Sequence, residues 1–162
     1  MRRGALRAQA DLVGLDNRIK GVESLRRKLT DLLTQDPTLT VDEAAGHVYD
    51  VLRFTVVAVP ERYMAAHDDV LSGLDAQGVE LVEDGNRWAG PRYRGINARL
   101  QVGARRFEVQ FHTPESYAAA KATRGLYEEF RLASTPPQRR AELAASIEEV
   151  FARVPVPPGA VP

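Results

Sequence analysis

The sequence contains no cysteine. That excludes disulfides, thiolate metal sites and a cysteine nucleophile, and it leaves the redox compartment open. It has no excess of either charge, because 22 basic and 22 acidic residues cancel. No global field draws the chain to nucleic acid or membrane, so any polyanion site must be local. No run of about 18 apolar residues is present, and the pattern predicts no membrane-spanning helix. The opening Met1-Arg2-Arg3-Gly4 lacks the apolar run of a secretion signal. Export would then need another carrier, or the stretch is one domain of a longer chain. Internal repeats are absent and tryptophan occurs once. What remains is ordinary: 162 residues, 44% apolar and 27% charged, suit one domain with a real core.

The clearest local pattern is Arg106-Phe107-Glu108-Val109-Gln110-Phe111-His112-Thr113. Apolar and polar residues alternate, as in a strand whose successive side chains point to opposite faces. Phe107, Val109 and Phe111 share the face that suits a core. Glu108, Gln110 and His112 set a carboxylate, an amide and an imidazole in a row on the other. A half-buried strand with an ordinary solvent face alternates in the same way. The pattern gains meaning only with charged groups elsewhere in the chain.

Taken in order, residues 5–15 read as a helix ending near Gly14. The stretch Arg18-Ile19-Lys20-Gly21-Val22-Glu23-Ser24-Leu25-Arg26-Arg27-Lys28 carries five basic residues, with Glu23 or Ser24 as the cap of a helix through Leu33. It is either a solvated helix face or a cradle for a polyphosphate at a helix start. Thr40-Val41-Asp42-Glu43 has the capping-box pattern of a short helix. Tyr49–Val59 is β-branched and aromatic, which predicts a central strand with Asp50 at its start and Arg53 within it. A charge there is costly unless paired or used.

Pro60 opens a helix to Gln77, on which His67 reads as a packed histidine. Residues 79–82 form a short strand, and Asp84-Gly85-Asn86 a turn. Trp88 reads as a packing residue. A loop then becomes a strand ending at Val102, and Gly103 turns it into the alternating strand. Pro114 begins a long helix to about Leu132. Pro136-Pro137 starts a last one ending near Arg153, with Leu143, Ile147, Val150 and Phe151 inward. Residues 154–162 are a Pro-rich tail. The whole predicts a single α+β domain over 1–153, with a small mixed sheet of about four to five strands flanked by helices.

These residues resemble a known family. Arg18, Lys20, Ser24, Arg27 and Lys28 fall in register with the ATP-side motif of the RelA/SpoT-type pyrophosphokinase domain. Glu108-Val109-Gln110-Phe111-His112-Thr113 is similar to its E-[VI]-Q-[IL]-R-T strand, and Asp50 with Arg53 to its Asp/Arg strand. Gly95-Ile96-Asn97 sits where the family has G-Y-R-S. The pieces keep the family's order over about residues 16–131. The departures are specific. Asp50 and Arg53 are three apart rather than five. Ile96 replaces the tyrosine that stacks on a guanine acceptor, and His112 replaces the strand arginine.

The resemblance implies a nucleotidyltransferase-like sheet on which ATP gives its β,γ-pyrophosphate to the 3′-hydroxyl of a purine nucleotide, releasing AMP. It implies Glu108 and Asp50 as the catalytic and Mg²⁺-holding carboxylates. Arg18, Lys20, Ser24, Arg27, Lys28 and Arg53 would hold ATP, and Tyr93, Arg94, Asn97, Gln110 and His112 the acceptor. Tyr93 is the replacement base platform, and His112 a pH-sensitive contact. Loss of the family tyrosine brings in adenine nucleotides, or a tRNA 3′ end, as acceptors. A lone synthetase without a hydrolase domain resembles the small or toxic branch. That branch implies action in the cytoplasm, delivery as the C-terminal domain of a larger toxin, and an immunity protein or antitoxin as partner. The reading of another class is an inactive nucleotide-binding module on the same fold.

Overall fold

The computed structural model describes residues 10–161. Five strands form one mixed sheet in the order β1-β2-β5-β4-β3. They are β1 (Asp11–Val13), β2 (Arg53–Val57), β3 (Glu80–Asn86), β4 (Ile96–Val102) and β5 (Arg105–His112). β5, the alternating strand, pairs parallel with β2 and antiparallel with β4. The helices are α1 (Val22–Gln35), α2 (Val41–Gly46), α3 (Tyr63–Asp75), α4 (Pro114–Ala122), α5 (Arg124–Phe130) and α6 (Pro137–Ala152). This is the expected α+β class with a five-stranded mixed sheet.

Alternation on β5 sorts the sheet into two faces. Phe107, Val109 and Phe111 lie opposite Leu100, Ala98 and Ile96 of β4, and Val109 and Phe111 opposite Phe54 and Val56 of β2. Nearly all of these are buried, and α3 closes over them with Tyr63, Ala66, Val70 and Leu74. Trp88 is buried edge-on to Tyr63, and His67 is buried against the Phe111 ring, as their packing roles require. Leu143, Ile147 and Phe151 of α6 are buried as the stripe predicts, with Val150 only partly so.

Several local expectations give way to tertiary context. Asp11–Val13 is not helical but pairs with the open edge of β2; residues 5–9 of that expected helix lie outside the described residues. Tyr49–Val51 is a 3-10 turn, so the strand starts only at Arg53. Gly21, not Glu23 or Ser24, caps α1. Asp84-Gly85-Asn86 continues β3 because β4 offers an unbroken ladder to pair with, overriding its local turn preference. The helix expected over 114–132 breaks at Thr123, whose hydroxyl donates to the Ala119 carbonyl. The Pro-rich stretch is not a free appendage. Val154, Pro157 and Ala160 are buried, and their neighbourhood is tied back by Asn86 Nδ2 donating to the Ala160 carbonyl.

Candidate active site

The face of the sheet opposite the core carries the polar side chains. Arg53, Glu108, Arg99 and Glu83 form one row across β2, β5, β4 and β3, alternating in charge. Thr55, Gln110 and Asn97 form the next. The basic cluster reaches this face through a single bridge. Ile19 pairs with Leu52, Lys20 N–H donates to the Val51 carbonyl, and Arg53 N–H donates to the Arg18 carbonyl. That fixes Lys20 beside the 3-10 turn, and α1 brings Lys28 to the same point.

Asp50 is where they meet. Its two carboxylate oxygens accept from Lys20 Nζ at 2.7 Å and Lys28 Nζ at 2.6 Å. Burial pushes its pKa up, but the hydrogen bonds and charges of the two lysines outweigh it and hold it at about 2. Glu108 behaves oppositely. Burial raises its pKa above the carboxylate norm, and the negative charge of Asp50 raises it further against Arg53, Lys28 and Arg99. Gln110 Nε2 donates to Glu108 Oε1 at 2.9 Å and aims it. Arg53 is half-buried on the row beside Glu108 and has no side-chain partner among the described residues. One carboxylate held ionised and one shifted toward a base, beside an unmatched guanidinium, can bind an anion and take up a proton.

The remaining expected residues divide. Lys20, Lys28, Asp50, Arg53, Glu108 and Gln110 come together. Arg18 and Arg27 are exposed, with Arg18 Nη1 donating to the Leu15 carbonyl, and Ser24 is half-buried in the first turn of α1. Arg94 is engaged by the C-terminal segment, its guanidinium donating to the Val154 carbonyl. Tyr93 is not an open platform. Its hydroxyl donates to Asn97 Oδ1 at 2.7 Å and lies 3.0 Å from His112 Nε2, and its ring meets His112 edge-on. His112 is buried, and burial, then the Arg53 charge, lower its pKa to about 4. It is therefore neutral near pH 7 and takes a proton only in acid.

Gly95 permits this arrangement. A Cβ there would lie 2.9 Å from the Phe111 carbonyl oxygen and 3.2 Å from both the His112 ring and the Tyr93 hydroxyl. Ile96 is buried on the core side.

Three further participants escape the sequence reading. Ser116 Oγ lies 2.7 Å from His112 Nδ1 while accepting from Thr113 N–H. The Thr113-Pro114-Glu115-Ser116 capping box was the available signal. Arg99 and Arg106 both lie over the Tyr49 ring, 5.6 and 5.2 Å from its centroid. Alternation along β4 and β5 places both arginines on the polar face.

No protein-family model matches the chain, and no curated protein matches it. Solved structures do. A GTP pyrophosphokinase family protein from Streptococcus pneumoniae superposes with a TM-score of 0.57 at 12% identity, over 88% of this chain and 70% of that one. Small alarmone synthetase 1 from Bacillus subtilis, bound to its product pppGpp, gives 0.56 at 14% identity, over 88% and 72%. Small alarmone synthetase 2 from the same organism gives 0.56 at 14%, over 93% and 84%. At such identities the likeness is one of fold, and it agrees with the sequence resemblance: the chain folds as a RelA/SpoT-type pyrophosphokinase domain.

Proposed function

We propose that this chain is an ATP-dependent pyrophosphokinase that moves the β,γ-pyrophosphate of ATP to the 3′-hydroxyl of a purine nucleotide. The observation that carries the reading is the meeting of Lys20, Lys28 and Arg53 with Asp50 and Glu108 on one face of the sheet. The likeness to a synthetase described as bound to its product pppGpp supports it at the level of fold.

In this reading Glu108 accepts the proton of the 3′-hydroxyl. Its raised pKa makes it a stronger base than an ordinary carboxylate. The 3′-oxygen bonds to the β-phosphorus, the bond from that phosphorus to the α,β-bridging oxygen breaks, and AMP leaves with the electron pair. Lys20, Lys28 and Arg53 neutralise the phosphates, the lysines exchanging Asp50 for phosphate oxygens. Arg18, Ser24 and Arg27 border the donor side.

The residues also fit a magnesium ion. Asp50 stays ionised and Glu108 lies near enough to feel its charge. Among the described residues no third acidic or imidazole group joins them in a metal cluster. That suits an ion completed by phosphate oxygens and water, with Asp50 and Glu108 as its protein ligands. When bound, it would neutralise charge on the transferring group. The product would be an alarmone-type nucleotide, and ATP consumption in the cytoplasm would make the chain toxic when unrestrained.

The test mixes purified protein, Mg²⁺ and γ-labelled ATP with ADP, ATP, GDP, GTP or deacylated tRNA in separate reactions. Label on a purine nucleotide with stoichiometric AMP is expected. Label on tRNA alone would replace the acceptor, and ATP binding without any transfer would overturn the activity.

A further inference from the structure

Beyond Glu108, on the side away from Gln110, lies a cavity that the proposed reaction does not use. It sits between α2 and the β4–β5 hairpin and has a volume of about 490 Å³. Ala45, Val48, Val51 and Ala104 give it apolar walls, and Arg106 and Gln101 face it from the hairpin. Its size is that of a small-molecule site.

Arg106 sets its chemistry. It is half-buried and has no carboxylate partner among the described residues. Its Nε donates to Gln101 Oε1 at 3.2 Å, which leaves both Nη groups without an acceptor among those residues. The same bond turns the Gln101 amide, and its Nε2 also lacks an acceptor there. The hairpin side therefore meets a ligand with N–H donors alone. Packing holds the guanidinium in place. A Cβ on Gly46 would lie 3.3 Å from Arg106 Nη1, so α2 approaches it through a glycine. The Tyr49 ring lies against it as well, its centroid 5.2 Å from Arg106 Cζ.

A planar fork with a neighbouring amide donor suits the oxygens of an oxyanion. Two observations narrow the choice. Asp42 lines the same cavity, so a dianion would meet a like charge, whereas a single negative charge is matched by Arg106. The walls are apolar, and an oxyanion without a body would leave them in water. We infer that this cavity is a regulatory site for a small carboxylic acid with an apolar body. The carboxylate binds Arg106 and Gln101, and the body packs against Val48 and Val51.

Regulation follows from position. Tyr49 and Val51 flank Asp50 in the 3-10 turn. Tyr49 carries the Arg99 and Arg106 guanidiniums over its ring, and Asp50 gathers Lys20 and Lys28. A bound carboxylate draws Arg106 off the ring and adds negative charge beside the turn. Both changes disfavour a polyphosphate at Lys20 and Lys28. This last step rests on the donor site of the proposed function.

The experiment titrates purified protein with hexanoate, acetate, hexanamide and inorganic phosphate by calorimetry. Hexanoate should bind about 10- to 100-fold more tightly than acetate, through its buried methylenes. It should exceed hexanamide by about 10- to 100-fold, through its charge, and should also exceed phosphate. Arg106→Met keeps the stem, removes the fork and should abolish the preference for hexanoate over hexanamide. Gly46→Ala changes a helix position that accepts alanine. Its methyl displaces the fork, which should weaken hexanoate and leave hexanamide unchanged. With Mg²⁺ present, saturating hexanoate should weaken ATP binding by about 5-fold, and ATP should weaken hexanoate by the same factor. Neither effect should appear in Arg106→Met. Equal affinity for hexanoate and hexanamide, a preference that survives Arg106→Met, tighter binding of phosphate, or an ATP affinity indifferent to hexanoate overturns the inference. Failure of ATP to bind with or without the acid overturns the proposed donor site instead, and the hexanoate titration then decides the cavity by itself.

Discussion

On β5, Phe107, Val109 and Phe111 point to one face of the sheet, and Glu108, Gln110 and His112 point to the other. The first three are interchangeable with similar apolar groups, because burial is non-directional and scales with area. The second three are each defined by a named partner: Gln110 for Glu108, Tyr93 and Ser116 for His112. On the core side the Tyr63 hydroxyl donates to the Phe111 carbonyl, and the Trp88 indole N–H is left without a partner among the described residues. The other face leaves Arg53, Asn97 Nδ2 and Gln110 Oε1 without protein partners among the described residues. These half-buried groups are open to a ligand, whereas the core side offers apolar surface already filled by its neighbours.

The contrast can be broken from either side. Glu108→Gln should keep the melting temperature while lowering transfer by about 10²–10⁴-fold, measured as labelled product at saturating ATP. Near-normal turnover would remove Glu108 as the base. Phe111→Ala on the other face should do the reverse, destabilising by about 3–5 kcal/mol in urea unfolding. Retained stability there would mean the apolar face is not the core. Lys20→Ala should weaken ATP binding by about 10- to 100-fold and acceptor binding little. Equal effects on both would deny the cluster its donor role.

The smallest effects are in pH. The acid limb of kcat/KM should lie above the ordinary glutamate pKa of 4.5, because Glu108 is raised. An acid limb at or below that value would dissociate it from catalysis. For stability, His112 titrates at about 4 in the folded protein against an ordinary 6.5. The unfolded chain takes the proton first as pH falls. Stability should therefore be lost between those two values, by about 3 kcal/mol, and His112→Gln should flatten that slope. Asp50 is lowered, so its contribution is present above 3.8 and disappears as pH falls through about 2.

The strand at the centre was legible because period-two alternation survives any packing environment. The class of fold was legible because apolar stripes and Gly/Pro punctuation mark most elements. Lys20, Lys28, Asp50 and Glu108 were legible only as a resemblance, since nothing in spacing shows that residues 20 and 108 meet. Their meeting depends on one bridge, Ile19 to Leu52, too short to leave a pattern. β1 and the end of β3 were missed for a related reason: pairing with a distant edge decided their conformation over local preference. The contacts of the Tyr93 and Ser116 hydroxyls with His112 were not legible because hydrogen bonds between distant side chains have no sequence period.

Trp88, buried at the start of the loop that leads to Tyr93, has an indole N–H without a hydrogen-bond partner among the described residues. It is the sole tryptophan of the sequence. Emission excited at the red edge of protein absorbance therefore comes from that one ring, and the molecule carries a built-in optical gauge of whether the loop between β3 and β4 is seated.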